Sequence, residues 1–290
     1  MTGAVAREVA PAALTSPFKG LAPYDDSSLD EQLFFGRERE VDVACANLTA
    51  SRLTVLFGAS GVGKSSLLRA GVMRRLRESG AGESAAAIVS SWAGDPVSAI
   101  AAAARAAVEE ALGRSVDDPG GRLVERLRAW TDELGGELAL VLDQLEEEFL
   151  YHADEDGPGS FAVEFPPLVT ERGLPVHVLI GIREDSLGRL DAFRAAIPGV
   201  LSNYLRLERL DRDAARLAIT GPIERWNQLV PDDAMTAEPE LVEAVLDEVA
   251  AGRIEPDAAG IGGVTPSALV ERIEAPYLQL VLERLWSAER

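Results

Sequence analysis

The sequence predicts an α/β protein in which a parallel five-stranded sheet is sandwiched by helices and followed by an all-helical C-terminal subdomain. Three observations predict this fold class. Short apolar runs alternate with segments of helical periodicity, the strand-like runs stop near residue 210, and no apolar run is long enough to span a membrane. Near-continuous apolar strands separated by helices are typical of a sheet that is covered on both faces.

The predicted elements follow one another with short connections. Five runs are predicted to be strands, at 53–57, 86–92, 138–142, 176–182 and 204–210. Helical patterns lie between them at 65–78, 96–112, 121–134 and around 165–173. Beyond residue 210 three further helical patterns cover 211–226, 238–252 and 275–286, with a Gly/Pro-rich loop at 252–266.

Composition limits the partners of the chain. The formal net charge is -20 over 290 residues, so that a nucleic-acid backbone or an anionic lipid surface is a disfavoured partner. The N-terminal residues lack the pattern of a signal peptide, and the single cysteine, Cys45, cannot form an intrachain disulfide. We therefore expect a cytoplasmic protein with no membrane contact.

A glycine-rich loop follows the first predicted strand. Residues 58–65 read GASGVGKS, the pattern GxxxxGK[ST] between a strand and a helix. Its glycines let backbone N–H groups surround a phosphate, and the following helix directs its positive end to the same anion. Lys64 is expected to reach the β- and γ-phosphates and Ser65 to bind Mg²⁺. The predicted nucleotide-binding residues of the loop are Gly58, Ser60, Gly61, Val62, Gly63, Lys64, Ser65 and Ser66.

Four carboxylates follow the third predicted strand in the stretch VLDQLEEEF at 141–149. Such crowding is unfavourable unless a cation binds there or the side chains face water. Asp143, at the strand end, is predicted to hold Mg²⁺ together with Ser65. If a helix follows, Glu146 and Glu147 return to the side of Asp143, and either is a candidate base for the attacking water. Glu148 is expected to face solvent.

The base of the nucleotide is predicted from a missing motif. Proteins that select guanine use an Asn-Lys-x-Asp motif, and none of the asparagines, Asn47, Asn203 and Asn227, begins one. We therefore expect ATP and ADP, with Mg²⁺, as the bound cofactors.

Several further stretches resemble one family. The stretch FFGRERE at 34–40 is similar to the hhGRExE element of STAND and initiator-type AAA+ ATPases, and Gly221-Pro222 is similar to the Gly-Pro element of STAND lid domains. Together with SPFKGLAPYDD, LDQLEE and APYLQLVLERLW, these stretches identify the chain from about Ser16 onward as resembling the novel-STAND clade of P-loop ATPases. The spacing of Asp143 and Glu146-Glu147 is also similar to the second acidic motif of NACHT NTPases.

The resemblance implies roles for residues outside the phosphate loop. Arg183, which ends the fourth predicted strand, would sense the γ-phosphate, with an ion pair to Glu184 or Asp185 as the alternative. Arg37 would contact the ribose or adenine, or else cap a surface helix. Gly221 and Pro222 would contact the adenine, or else only start or kink a helix. The implied strand order is 5-1-4-3-2.

The Ala-rich, aperiodic N-terminus predicts a disordered tail at 1–16, and the end of the strand pattern divides the rest into a P-loop nucleotide-binding domain at 17–210 and a helical lid at 211–290. The resemblance also implies a function. Slow Mg²⁺-dependent ATP hydrolysis would control self-association into an oligomer and signal to a sensor or effector, possible roles including antiphage defence. STAND chains usually continue into a winged helix and a sensor, so that this chain is either an excised core or a subunit completed by other chains. Two alternatives remain open: an initiator-like AAA+ ATPase that acts on DNA, and a non-hydrolysing scaffold.

Overall fold

The computed structural model describes residues 15–79, 84–251 and 272–289. The chain divides into two compact units. A sheet unit is formed by Glu38–Glu208, and a helical unit combines Met1–Arg37 with Arg209–Arg290. The predicted tail lies outside the described residues as far as residue 14, and the predicted Gly/Pro-rich loop lies wholly outside them.

The five described strands form one parallel sheet. Their bounds are β1 Leu53–Gly58, β2 Ser84–Val89, β3 Glu137–Leu142, β4 Val176–Arg183 and β5 Tyr204–Arg206. They are ordered β2-β3-β4-β1-β5, and every neighbouring pair is parallel. This is the predicted order read from the opposite edge, so the fold-class prediction is confirmed. Parallel strands bring their carboxyl ends to one edge of the sheet, where α/β proteins bind their ligands.

Burial explains which strands lie at the centre of the sheet. All six residues of β1 are buried, whereas β2 alternates between buried and half-buried positions and β5 is half-buried or exposed. A strand with helices on both faces needs apolar side chains on both. The unbroken apolar runs therefore mark central strands, and the short fifth strand closes one edge.

Helices cover the sheet and build the second unit. The sheet unit contains α2 Glu38–Ala50, α3 Lys64–Ser66, α4 Arg74–Ser79, α5 Pro96–Leu112, α6 Leu123–Leu134, α7 Glu148–Tyr151 and α8 Phe161–Thr170. The helical unit contains α1 Ser28–Leu33, α9 Arg212–Leu229, α10 Pro239–Ala251 and α11 Ala275–Ala288. None of the helices in the described part of the chain is long and apolar enough to cross a bilayer.

Side-chain and backbone caps fix where several helices begin and end. The Asp95 carboxylate accepts hydrogen bonds from the N–H groups of Val97 and Ser98 at the start of α5, and Gly113 ends that helix in the left-handed region. Buried Glu164 of α8 accepts a hydrogen bond from the N–H of Leu123, the first residue of α6, over 3.0 Å. This last contact joins two covering helices through one carboxylate.

The helix predicted at 65–78 is not uniform. Between α3 and α4 the segment Leu67–Met73 is a π-helix, with wider turns than the flanking α-helical residues. Six of its seven residues are buried, and the seventh is Arg69. The interruption puts a charged side chain into an otherwise apolar stretch directly after the glycine-rich loop.

The helical unit has its own aromatic core. Trp286 of α11 packs edge-on against Trp226 of α9 with ring centres 4.9 Å apart, and against Phe18 with ring centres 6.0 Å apart. The Trp286 indole N–H also donates to the carbonyl oxygen of Thr15 over 3.0 Å. Phe18 is therefore part of this core, and Thr15 of the predicted tail is hydrogen-bonded to α11.

Residues 17–37, which the sequence prediction places with the nucleotide-binding domain, group with the C-terminal helices instead. The hydroxyl of Tyr24 donates to Oε1 of Gln279 on α11 over 3.3 Å. Gly36 has φ +83, and a Cβ there would overlap the carbonyl oxygen of Ala214 on α9. These are contacts between residues far apart in sequence, which a local pattern does not contain.

Candidate functional site

The glycine-rich loop connects β1 to α3 at the carboxyl edge of the sheet. Gly61 and Gly63 have φ +73 and +98, backbone conformations that residues with a Cβ rarely adopt. At Gly58 a Cβ would lie 2.6 Å from the carbonyl oxygen of Leu207, too close for any side chain. The predicted loop residues, which also include Ser60, Val62 and Ser66, thus lead from the end of β1 through a tight turn into α3.

Lys64 lies folded back on this loop. Its Nζ donates to the carbonyl oxygens of Gly58 over 3.0 Å and of Ala59 over 2.9 Å. Burial lowers the pKa of Lys64, and the carboxylates of Glu146 and Asp143 oppose that shift. The ammonium group is therefore surrounded by the loop carbonyls and by the acidic side chains after β3.

Ser65 and Asp143 meet directly. The Ser65 hydroxyl donates to Oδ1 of Asp143 over 3.1 Å. Asp143 is 1% exposed, and its other oxygen, Oδ2, is buried without a hydrogen-bond partner. Burial raises the pKa of Asp143, partly offset by Ser65 and Arg69. A hydroxyl beside an underbonded buried carboxylate fits Mg²⁺, which takes few protein oxygens and completes its shell with phosphate and water.

Three neighbours hold Asp143 in place. The Trp92 indole N–H donates to the Asp143 carbonyl oxygen over 2.8 Å, and Arg69 Nε lies 3.4 Å from Oδ2. Gly181 of β4 leaves room for the carboxylate, because a Cβ there would lie 3.3 Å from Oδ1 and 2.6 Å from Leu68 Cδ1. Asp143 is thus positioned from the strand on one side and from the segment after the glycine-rich loop on the other.

The chain does not become helical directly after Asp143. Gln144 has φ +56, the one positive value found for a residue other than glycine in the described ranges, and turns continue to Glu147 before α7 begins. The condition under which Glu146 and Glu147 would return by helical periodicity is therefore not met. Glu146 reaches the site by another route, since its Oε2 accepts a hydrogen bond from the Arg183 N–H over 3.1 Å.

The two glutamates that follow behave differently. Glu147 is half-buried, and its carbonyl oxygen accepts hydrogen bonds from the N–H groups of Leu150 and Tyr151 in α7. Glu148 was expected to face solvent, and this prediction is wrong: it is 5% exposed. Its burial raises the pKa of Glu148 to about 7, an effect that nearby His152 opposes. The local helical phase differs from the assumed one because of the turn at Gln144.

Arg183 ends β4 opposite Gly58 in the sheet register. Its guanidinium donates to an oxygen of Asp185, one of the two ion pairs that the sequence left open, whereas Glu184 pairs with Arg206 over 2.9 Å. Arg183 also lowers the pKa of Lys64, after the larger effect of burial. The arginine therefore lies near the lysine of the loop and near Glu146.

The remaining predicted residues belong to the helical unit. Arg37 is buried, and Gly221 and Pro222 lie inside α9. A Cβ at Gly221 would lie 2.5 Å from the ring of Phe35. Phe35 of the FFGRE stretch therefore packs on Gly221 within this unit, which gives Gly221 a packing role. The alternative that Gly221-Pro222 starts the helix is wrong, since α9 begins at Arg212.

The family of the chain follows from comparison with known proteins. A family model described as Novel STAND NTPase 1 matches residues 17–290. The chain belongs to this novel STAND NTPase family. The resemblance seen in the sequence is thereby confirmed, and the glycine-rich loop is that of a P-loop NTPase. No curated protein matches the chain significantly.

Several solved structures are similar to this novel STAND NTPase. The ORC2 protein of Aeropyrum pernix, described as ADPNP-ADP complexes, has a TM-score of 0.47 and 17% identity over 67% of this chain and 52% of its own. Cdc6p of Pyrobaculum aerophilum has a TM-score of 0.49 and 17% identity over 87% of this chain and 61% of its own. A Walker-type ATPase of Pyrococcus abyssi has a TM-score of 0.49 and 18% identity over 79% and 66%. The chain spans about half the length of the ORC2 structure.

Three contributors to the site of this novel STAND NTPase were missed from the sequence. Arg69 follows Ser65 by four residues, a spacing that places two side chains on one helix face and was a usable signal. Trp92 and Gly181 were included only as members of the predicted strands at 86–92 and 176–182. Their contacts with Asp143 cross between elements, and the sequence carries no local signal of them.

Proposed function

We propose that the chain is the ATP- and ADP-binding core of a STAND switch, in which slow Mg²⁺-dependent ATP hydrolysis controls assembly and signalling. One observation carries the proposal. Lys64, the bonded pair Ser65 and Asp143, and Glu146 lie together at the carboxyl edge of one sheet. Buried charges with unused bonding capacity are costly in a merely structural role, and a phosphate with its cation would use that capacity.

Each side chain has a role in this proposal. Lys64 exchanges its bonds to the loop carbonyls for phosphate oxygens, and the N–H groups of residues 60–66 surround the phosphates. Ser65 and Asp143 hold Mg²⁺, which neutralises phosphate charge. Glu146 orients the attacking water and accepts its proton. Arg183 responds to the γ-phosphate, exchanging its bond to Asp185 for one to the nucleotide.

The position of Glu146 favours it over Glu147 as the base. Glu146 is bonded to the backbone of Arg183 and is the carboxylate with the largest effect on Lys64. Glu147 contributes a backbone carbonyl to the start of α7. A base must lie within reach of the water near the γ-phosphate, and the carboxylate of Glu146 is the one near both Lys64 and Arg183, the two cations proposed to face that phosphate.

Membership in the novel STAND family supports a proposal for the cellular role. We infer that the ATP-bound form self-associates, that a sensor or effector protein or domain responds to it, and that it works in the cytoplasm, including in antiphage defence. In such a switch ATP must bind the assembling form more tightly than ADP does. Light scattering with ADP and with ATP would test this, because only ATP should increase the measured mass.

The function is tested by denaturing freshly purified protein and identifying the released nucleotide by chromatography. Near-stoichiometric ADP is expected. Hydrolysis of added ATP is then measured for the parent and for Glu146→Gln and Glu147→Gln. Glu146→Gln should retain ATP and hydrolyse it about 10²–10³-fold more slowly, since it removes a positioned base. A larger loss in Glu147→Gln would assign the base to Glu147. A protein that contains no bound nucleotide and does not hydrolyse ATP would contradict the switch proposal.

A further inference from the structure

A single charged side chain interrupts the apolar segment after the phosphate loop. Arg69 lies in the π-helical segment Leu67–Met73, whose six other residues are buried. The Arg69 side chain is 20% exposed, and its Nε lies 3.4 Å from Oδ2 of Asp143. π-helical turns are rare and are found frequently at functional sites. An arginine in such a segment needs a reason beyond packing.

The two oxygens of Asp143 face different partners. Oδ1 accepts the hydrogen bond of Ser65, while Oδ2 lies beside Arg69 at ion-pair distance but without a hydrogen bond. A carboxylate removed from water needs nearby positive charge or donors to offset the lost hydration. Arg69 supplies that charge from the side opposite to the oxygen that Ser65 holds.

We propose that Arg69 is a positioning residue, which keeps the Asp143 carboxylate turned toward Ser65 so that the carboxylate and the hydroxyl together receive Mg²⁺ with the nucleotide. The inference rests on the proposed nucleotide-binding function. Ser65 and Arg69 are four residues apart on one continuous segment, and that segment begins at the phosphate loop. The same segment therefore sets the position of the loop, of the hydroxyl and of the carboxylate.

Arg69 acts through Asp143, so its effect should appear in the Mg²⁺ requirement and not in nucleotide binding as such. The test titrates full-length protein, freed of nucleotide, with a fluorescent N-methylanthraniloyl-ADP, first in EDTA and then over a series of Mg²⁺ concentrations. We expect Arg69→Gln to match the parent in EDTA. The Mg²⁺ concentration for half-maximal tightening should rise about tenfold, as is typical when a group that orients a metal ligand is removed.

The controls separate positioning from stability. Arg74→Gln removes an arginine of α4 that pairs with Glu78 over 2.8 Å, and should leave the Mg²⁺ requirement unchanged. Arg69→Lys keeps the charge but not the planar guanidinium, and should raise the requirement by about threefold. This variant also carries the test if Arg69→Gln does not fold.

Three results would overturn the inference. One is an unchanged Mg²⁺ requirement in both Arg69 variants, and another is an equal loss of affinity with and without Mg²⁺, which would make Arg69 a structural residue. The third is a parent that binds the probe under no condition, which overturns the proposed function as well. Binding by the parent with a parental Mg²⁺ requirement in the variants overturns only the role of Arg69.

Discussion

Two charged clusters, one in each unit, differ in how completely their members are paired. The Asp143 cluster of the sheet unit consists of Ser65, Arg69 and Asp143. The Glu243 cluster of the helical unit consists of Arg212, Arg216, Glu243 and Asp247. In the Glu243 cluster Arg212 lies 2.6 Å from both acidic partners and Arg216 lies 2.8 Å from Glu243, all as ion pairs. In the Asp143 cluster one carboxylate oxygen has no hydrogen-bond partner.

Solvent explains why one cluster is satisfied and the other is not. The Glu243 side chain is 44% exposed, and its hydrogen bonds to Arg212 and Arg216 lower its pKa. Asp143 is buried, and its pKa is raised despite Ser65 and Arg69. The first cluster stabilises the packing of α9 on α10. The second retains bonding capacity at a cost in stability, which is typical of a site that binds a ligand.

The largest effect is expected for Asp143→Asn. Hydrolysis should fall about 10²–10³-fold, because the amide binds Mg²⁺ poorly and no longer fixes charge at that position. The free energy of unfolding in EDTA should instead rise by about 1 kcal/mol, since a buried charge that is incompletely offset is removed. ATPase assays and urea denaturation check the two halves. Lower stability in the variant would show that the carboxylate is a structural member of the fold.

A fully paired buried carboxylate of the sheet unit should behave in the opposite way. Glu164 accepts the Leu123 N–H bond and lies 3.3 Å from Arg122. Glu164→Ala should lower the free energy of unfolding by about 3 kcal/mol, because it leaves a helix terminus without its partner. The rate of hydrolysis per folded molecule should not change. Glu171→Ala, which removes an exposed ion pair with Arg128, should lower the free energy of unfolding by less than about 1 kcal/mol.

Glu148 should make the stability of the folded chain depend on pH. Its pKa rises from 4.5 to about 7 on folding through burial, so the folded state binds its proton more tightly than the unfolded state. This contribution to stability is therefore present below about pH 4.5 and is lost as pH rises through about 7, amounting to roughly 2 kcal/mol.

Urea denaturation at a series of pH values in that range measures the effect. The free energy of unfolding should fall less with rising pH for Glu148→Gln than for the parent. Glu110→Gln, a change at an exposed position of α5, should follow the parent. Equal pH dependence of Glu148→Gln and the parent would mean that Glu148 titrates alike in the folded and unfolded chains.

The smallest effect is expected in the Glu243 cluster. Glu243→Gln should lower the melting temperature slightly at low salt, because it weakens the ion pairs between α9 and α10. The difference from the parent should shrink in about 0.5 M NaCl, which screens exposed charges. A large, salt-independent loss would show that these pairs contribute as much as buried ones, and would remove the distinction between the clusters.

Sequence alone predicts those parts of the site that are formed by consecutive residues with a recognisable motif. The loop at 58–65 and the aspartate that ends β3 combine a motif with an apolar strand, and the structure places them together as expected. Five parallel strands were predicted because near-continuous apolar runs alternate with helical segments. Strand order came from the family resemblance, since nothing local determines it.

The parts that were missed depend on a single turn or on distant contacts. The left-handed backbone at Gln144 changes the direction of the three glutamates, and no glycine or asparagine marks it. This is why Glu148 was assigned to solvent although it is buried. Arg69 lies in the segment predicted only as a helix at 65–78, and its partner Asp143 is 74 residues away in sequence (143 − 69). Neither error was visible in hydrophobic periodicity.

The pairing of Phe35 and Gly36 with α9 has a consequence for synthesis on the ribosome. The two segments of the helical unit are separated by the 171 residues of the sheet unit, from Glu38 to Glu208. At ordinary translation rates α9 begins to emerge roughly 10–30 s after Arg37. During that interval Phe18, Tyr24 and Phe35 have no C-terminal helices to pack against. The nascent chain therefore exposes these aromatic side chains until the C-terminal helices emerge, and chaperones that bind such segments have that time to act.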